Sequence, residues 1–413
     1  MKRVLIFILI LTIFSSFIFG GCNLDCDHDW GEGEEKVSPT CTTDGEKIYV
    51  CTKCNQTKTE KINKIGHDYS AGYEVDENKH WAKCTICGEN SQKQNHEYQD
   101  GMCVCGKLEE ATYIREGNTV YFGKYPQTEI VDFYRTTTLL DMAGDYPTSA
   151  NSGNWTSYNY YLDGEERNYM WYIDLDLDGE RYRGVYFSNY RSYLTSYPSN
   201  VESSHQDDHT YYSHIVFWFK YEPIKWTVIR EDGPTAILLC DTIIDSQEFY
   251  SRYNNTRLIK EQKVYPNNYE HSSIREWLNN VFFETAFSAG ERAIVYSSYV
   301  DNSINSTLSA TNKYLCNDTR DRVYLLSHND ILSGEYALNP EICQKKVTDY
   351  SKCQGCWASQ GEDTLGNGYW WLRTPDSKNS FFAGRMDADG LSGSYDYVDA
   401  TRCGVVPVVK IQL

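Results

Sequence analysis

The residues best suited to chemistry are cysteines and histidines, and they recur in a fixed order. His28-Asp29-Trp30, His67-Asp68-Tyr69 and His96-Glu97-Tyr98 share the pattern histidine, acid, aromatic. Cys51-Thr52-Lys53-Cys54, preceded by Cys41, lies between the first two. Cys84-Thr85-Ile86-Cys87-Gly88, preceded by His80, lies between the second and third, and Cys103-Val104-Cys105-Gly106 follows. Two thiolates at Cys-x-x-Cys spacing can reach one ion, and a distant Cys or His pair completes a tetrahedron. Spacing alone assigns Cys41, Cys51, Cys54 and His67 to one zinc site and His80, Cys84, Cys87 and His96 to another. Cys26, His28, Cys103 and Cys105 remain as further candidates. A disulfide framework is the alternative outside the cytoplasm. The interleaved histidines favour structural zinc, because a disulfide scaffold has no use for them.

These ligands must be positioned by a stretch short of aliphatic residues, which can hardly bury a core by itself. Small units of that kind need disulfides or a metal. Pro39-Thr40-Cys41-Thr42-Thr43-Asp44-Gly45, followed by Cys51 to Cys54, resembles Cys/His repeats of surface proteins of anaerobic bacteria. The resemblance implies a spacer or binding stalk without enzyme activity.

The N-terminus reads Met1-Lys2-Arg3, then an uncharged apolar run from Val4 to Phe19, then Gly20-Gly21-Cys22. A positive start, an apolar middle and small residues before a cut site are the anatomy of a secretory signal. Phe19-Gly20-Gly21-Cys22 resembles the lipobox of bacterial lipoproteins, with Phe19 where an aliphatic residue is usual. The resemblance implies lipidation of Cys22, removal of residues 1–21, and an extracytoplasmic protein lipid-anchored to a cell membrane. An uncleaved helix is the alternative, although the run is short against the roughly 20 residues of a span. Losing Lys2 and Arg3 takes the formal charge from -19 to -21. So acidic a chain lacks the cationic clusters that nucleic-acid phosphates require, and no nucleic-acid partner is expected.

Residues 22–106 thus read as Cys/His zinc-ribbon-like repeats and residues 107–117 as a charged linker. From Asn118 onward short apolar runs alternate with turn residues, as strands do. Candidates are Thr119–Phe122, Tyr182–Phe187, Ile215–Tyr221, Trp226–Arg230, Ala236–Cys240, Val323–Leu326, Trp370–Arg373, Phe381–Met386 and Val405–Ile411. Pro223 marks a turn between the third and fourth. One helix is expected from a Ser273-x-x-Glu276 capping box, with Ile274, Trp277, Leu278, Val281 and Phe282 on its apolar face and Asn279 and Asn280 opposite. Many short strands with few helices make residues 118–413 an α+β domain.

Six ordered motifs carry a further resemblance. They are Tyr121-Phe122-Gly123-Lys124-Tyr125-Pro126-Gln127, Pro223-Ile224-Lys225-Trp226-Thr227-Val228, Ser273-Ile274-Arg275-Glu276-Trp277-Leu278-Asn279, Tyr324-Leu325-Leu326-Ser327, Trp370-Trp371-Leu372-Arg373-Thr374-Pro375 and Gly404-Val405-Val406-Pro407-Val408-Val409-Lys410-Ile411. The chain from about Val120 to Leu413 resembles a bacterial surface domain of unknown function. That domain is similar to the formylglycine-generating-enzyme (sulfatase-modifying-factor-like) branch of the C-type-lectin-like fold. Those enzymes use paired cysteines near the C-terminus; this chain has Cys403 there without a partner at matching spacing. The calcium motifs of sugar-binding C-type lectins are also incomplete, since Glu222-Pro223-Ile224 lacks the amide ligand.

Asp174-Leu175-Asp176-Leu177-Asp178-Gly179 starts like a calcium loop, but position twelve is Val185, so a hairpin is expected. Cys353-Gln354-Gly355-Cys356 has redox spacing. With Cys240, Cys316, Cys343 and Cys403 it makes six downstream cysteines, for which disulfide connectivity stays open. Residues 376–402 are rich in Gly, Ser, Asp and Tyr, as loops that carry function often are. Arg385, Tyr395, Tyr397 and Arg402 are the candidate exposed ligand contacts. The reading is a surface lipoprotein presenting a lectin-like domain for non-catalytic binding of an extracellular protein or glycan. An extracytoplasmic enzyme, such as a thiol oxidoreductase, and a purely structural envelope protein are the alternatives.

Overall fold

The computed structural model describes residues 26–413 except 100, 149–150, 159–160, 163–164, 167–168, 192–203, 253–255 and 337. The signal segment and Cys22 lie outside the described residues. The chain divides into two compact units, Met1–His96 and Glu97–Leu413. That boundary falls ten residues before the expected one at Gly106, and residues 107–117 are not a free linker. Ile114–Glu116 pairs with Thr119–Tyr121 as a hairpin, and the Glu109 amide donates to the Gly101 carbonyl at 2.8 Å. A Cβ on Gly290 would meet the Glu109 carbonyl oxygen at 1.9 Å, so the segment is packed down.

In the first unit, β1 (Glu34–Val37), β2 (Gly45–Val50) and β3 (Thr57–Ile62) form an antiparallel sheet. β4 (Tyr73–Val75), β5 (Lys79–Ala82) and β6 (Gln94–Asn95) form a second. Their sequences carry few apolar residues: β1 is wholly exposed and β3 mostly so. Cys41, Cys51, Ala82 and Cys84 are its buried apolar side chains. Backbone pairing shapes these sheets, and cysteines fill the place of a core.

The second unit is mostly strands. In chain order, its main elements are β7 (Ile114–Glu116), β8 (Thr119–Glu129), α1 (Phe133–Ala143), β9 (Thr156–Ser157), β10 (Met170–Leu177), β11 (Glu180–Phe187), β12 (Val216–Asp232), β13 (Thr235–Cys240), β14 (Asp245–Ser246) and α2 (Ser273–Trp277). They continue with β15 (Val323–Tyr324), β16 (Tyr369–Pro375), β17 (Phe382–Met386), β18 (Ser392–Tyr397), β19 (Cys403–Val405) and β20 (Val408–Gln412). A nine-stranded sheet runs β9-β10-β11-β12-β13-β20-β15, with β8 on β12 and β7 on β8. A five-stranded sheet runs β14-β19-β16-β17-β18.

β12 is the spine of the larger sheet. It pairs with β11 through Val216 to Lys220, with β13 through Trp226 to Asp232, and with β8 between Phe219 and Thr227. Pro223 therefore sits inside a strand, where a turn was expected. The register against β8 shifts between Tyr121 and Lys124, and a bulge is where a strand tolerates a proline that cannot donate. Trp226, Trp370 and Trp371 are fully buried, and each indole N–H finds a carbonyl, at Phe122, Cys343 and Gln247. A buried hydrogen bond ties the sheets together: the Tyr125 hydroxyl of β8 donates to Asp245 of β14 at 2.6 Å.

The expected helix forms, displaced by one residue at its start. Ser272, rather than Ser273, accepts from the Arg275 amide. A π-helical turn, Leu278–Phe282, then widens the helix before Phe283–Ala286. Ile274, Leu278 and Phe282 face the core, while Val281 is exposed. Asn279 turns inward, donating to the Val323 carbonyl and accepting from the Arg322 amide.

α1 covers a second core cluster of Leu139, Ala143, Trp155, Trp171, Tyr182 and Trp218. Gly184 in β11 leaves room for the Trp218 ring, which a Cβ would meet at 2.7 Å. Gly184→Ala should therefore cost about 1–3 kcal/mol of stability in urea melts of the full chain. Trp218→Leu in the same chain should recover part of that loss, whereas simple addition of the two penalties would disprove the clash.

Candidate metal centres

Two four-residue groups in the first unit could hold a metal ion: Cys26, His28, Cys51 and Cys54, and Cys41, His67, Cys84 and Cys87. Within each group every ligand atom lies within 4.8 Å of the others. Cys54 Sγ is 3.3 Å from His28 Nδ1, and Cys87 Sγ is 3.4 Å from His67 Nδ1. Cys41 and Cys84 have their sulfurs 3.8 Å apart.

One turn is built twice to present these thiols. The amides of Asn55 and Gly88 donate to the carbonyls of Cys51 and Cys84, each at 2.9 Å. The turn closes as Cys51 N–H meets the Gln56 carbonyl and Cys84 N–H that of Glu89, each at 2.8 Å. Asn55 has φ of 63° and Gly88 of 77°, a backbone region that Gly and Asn enter most readily.

The acid and aromatic of the histidine motif also have work to do. The amides of Thr52 and Thr85 donate to the Asp29 and Asp68 carbonyls at 2.9 Å. Their hydroxyls donate to the carboxylates of the same aspartates at 3.2 and 2.8 Å. Each acid thus fastens the segment carrying the histidine to the turn carrying the thiols. The aromatic rings lie against the ligand histidines, His28 on Trp30 at 4.8 Å and His67 on Tyr69 at 5.5 Å. The signal was present in both repeats as His-Asp followed by Cys-Thr.

Protonation follows the geometry. Burial pushes the Cys51 thiol up, but hydrogen bonds from His28 and the Lys53 and Cys54 amides prevail and hold it at about 6. Burial likewise opposes Cys84, yet the Cys87 and Ile86 amides and His67 bring it to about 6. Cys26 is pushed up to about 11 by hydrogen bonding to Cys54 and by burial, and Cys41 to about 12 by burial and hydrogen bonding to Cys87. Adjacent thiolates repel, so the thiols of a group ionise together only around a cation. The donor set fits a metal ion.

The grouping differs from the one expected from spacing. Cys41 and His67 do not join Cys51 and Cys54, nor do His80 and His96 join Cys84 and Cys87. β2 is the reason. Cys41 precedes its six residues and Cys51 follows them. A strand of that length holds its ends about 20 Å apart, too far to share an ion. His80 lies within β5, ahead of the Cys84 turn, and its ring stacks on His96 at 5.5 Å.

The downstream candidates are half-buried and engaged internally, where exposed contacts were expected. Arg385 and Arg402 converge on buried Asp396: Arg385 Nη1 donates at 2.7 Å and Arg402 Nε at 2.8 Å. The Arg385 guanidinium also lies 3.8 Å over the Tyr369 ring. Tyr397 packs on Phe382 at 4.4 Å, and Tyr395 meets the His328 ring edge-on at 5.3 Å. Cys353 and Cys356 are fully buried, and burial raises both thiols, Cys356 to about 12. Asp178 and Gly179, at φ of 54° and 77°, turn the β10–β11 hairpin, and Asp174 accepts from Arg183 at 2.7 and 2.8 Å.

Two outcomes follow. Cys26→Ala and Cys54→Ala should each remove one metal equivalent, and their combination no more than one; Cys26→Ala with Cys87→Ala should remove two. Metal analysis of the intact chain decides, and a two-equivalent loss from the first pair would break the grouping. Second, burial lowers fully buried His328 from 6.5 to about 4. The unfolded chain then binds a proton that the folded chain refuses, so stability falls as pH drops from about 6.5 towards 4. His328→Leu should shrink that fall by roughly 1–3 kcal/mol in urea melts at pH 7 and pH 4.5, and an unchanged pH dependence would contradict it.

No curated protein and no solved structure matches the chain. Residues 235–413, from the start of β13 to the C-terminus, match the family model described as Domain of unknown function (DUF6273).

Proposed function

We propose that this chain is an extracytoplasmic lipoprotein in which a zinc-stabilised module links a lipid anchor at Cys22 to a non-catalytic, lectin-like binding domain. The closed ligand sets carry the reading. Three sulfurs and one nitrogen fill a tetrahedral shell, whereas catalytic zinc keeps one position open. Zinc–sulfur bonds of about 2.3 Å place tetrahedral sulfurs about 3.8 Å apart, which agrees with the 3.8 Å between Cys41 and Cys84. A disulfide needs about 2.05 Å between one pair of sulfurs and leaves the histidine without a role.

A binding role is favoured over thiol chemistry by the setting of Cys353 and Cys356. A reactive thiol needs exposure and a lowered pKa; these two are buried and raised. The α+β make-up of the second unit agrees with the lectin-like resemblance, and its ligand is an extracellular protein or glycan. No helix among the described residues is long and apolar enough to cross a membrane; the attachment proposed is the lipid on Cys22.

The intact chain, expressed in a lipoprotein-processing bacterium, should carry at least two zinc ions. Its cluster thiols should resist alkylation until a chelator is added, and Cys22→Ala should move the protein from the membrane to the soluble fraction. Thiols that become available only after reduction would reject the zinc module. Unchanged membrane attachment of the variant would reject the anchor.

A further inference from the structure

A polar cleft of about 590 Å³ opens on the second unit, within the segment matched by the family model. Its size falls in the range of roughly 300–1,000 Å³ typical of small-molecule sites. Four arginines line it, Arg257, Arg275, Arg320 and Arg322, against three acids, Glu270, Glu276 and Asp321. In a chain of net charge -19 that is a local reversal of sign.

The four guanidiniums differ in what holds them. Arg275 is fixed, its Nε donating to Asp321 at 2.7 Å and its Nη1 to the Glu270 carbonyl at 2.8 Å. Arg257 is half-buried and pre-aimed, lying 4.4 Å over the Tyr250 ring with Nη2 on the His271 carbonyl at 2.9 Å. Arg320 and Arg322 are exposed, Arg322 lying 5.2 Å over the Phe283 ring, and neither has a carboxylate partner among the described residues. Glu276 and Asn280, also exposed, add an acceptor and an amide to the same cleft.

We propose that this cleft binds an acidic sugar, one or two rings carrying a carboxylate. The inference rests on the reading of the second unit as a binding domain and names the class of ligand. Guanidinium forks of Arg320 and Arg322 match a carboxylate in plane and charge. Ring hydroxyls, which both donate and accept, suit Glu276 and Asn280. A peptide is less well served, because protein hot spots centre on buried aromatic or aliphatic anchors, and no Trp, Tyr or Phe lines this cleft.

The test is calorimetric titration of the intact chain with digalacturonate, its carboxyl-reduced neutral counterpart and a hexaglutamate peptide. Digalacturonate should bind at least tenfold more tightly than the other two. Arg320→Ala with Arg322→Ala should weaken it at least tenfold while zinc content and melting temperature stay unchanged, and Arg320→Lys should recover only part. Equal binding of the neutral sugar, tighter binding of hexaglutamate, or no effect of the arginine variants would overturn the acidic-sugar site. If the chain then captures neutral glycans or a surface protein with those variants in place, the binding-domain reading stands without this cleft. Failure to bind any of these ligands would overturn both.

Discussion

Thiol and imidazole ligands substitute for a hydrophobic core in the first unit, and the rest of that unit depends on them. Its strands are written in Glu, Lys and Thr, and β1 presents every side chain to solvent. Burial of a few apolar groups would contribute only a few kcal/mol at about 25 cal/mol per Å², far below the entropy of ordering some seventy residues. What is buried there is mainly Cys41, Cys51 and Cys84. Clusters of ionisable donors in so small a unit repel one another when deprotonated, and a cation held there would convert that liability into a cross-link.

The two clusters are interleaved along the chain. Cys41 belongs to the second cluster, yet it lies between His28 and Cys51 of the first. β2 connects them, with one cluster at each end. Each Cys-x-x-Cys turn is in turn fastened to the preceding histidine segment through an Asp–Thr pair. Secondary structure, turn and ligand set thus specify one another, and the agreement across levels is what singles out one fold for so polar a sequence.

Residue types were legible in the sequence; their partnerships required length and direction. Cys-x-x-Cys with nearby histidines announces ligands, but only the extended span of β2 separates Cys41 from Cys51. In the second unit, most apolar runs are strands. Pro223 concealed the continuity of β12, because a bulge that accommodates proline leaves no local mark. Adjacent Ser272 and Ser273 are equivalent as cap signals, and tertiary packing selects the first. Arg385 and Arg402 looked like free surface arginines within a loop-like composition. Their partner Asp396 was equally visible, but β18 and the turn after it bring the three together, and no spacing rule encodes that. The cleft arginines come from separate segments around α2, so nothing in the linear order marked them as neighbours.

The architecture of the first unit depends on which ligands share an ion. Loading the intact chain with cadmium-113 and recording cadmium–proton correlations reads that directly. One cadmium should couple to the β-protons of Cys26, Cys51 and Cys54 and to the His28 ring, and a second to Cys41, Cys84, Cys87 and His67. A single cadmium coupled to both Cys41 and Cys51 would contradict the structure.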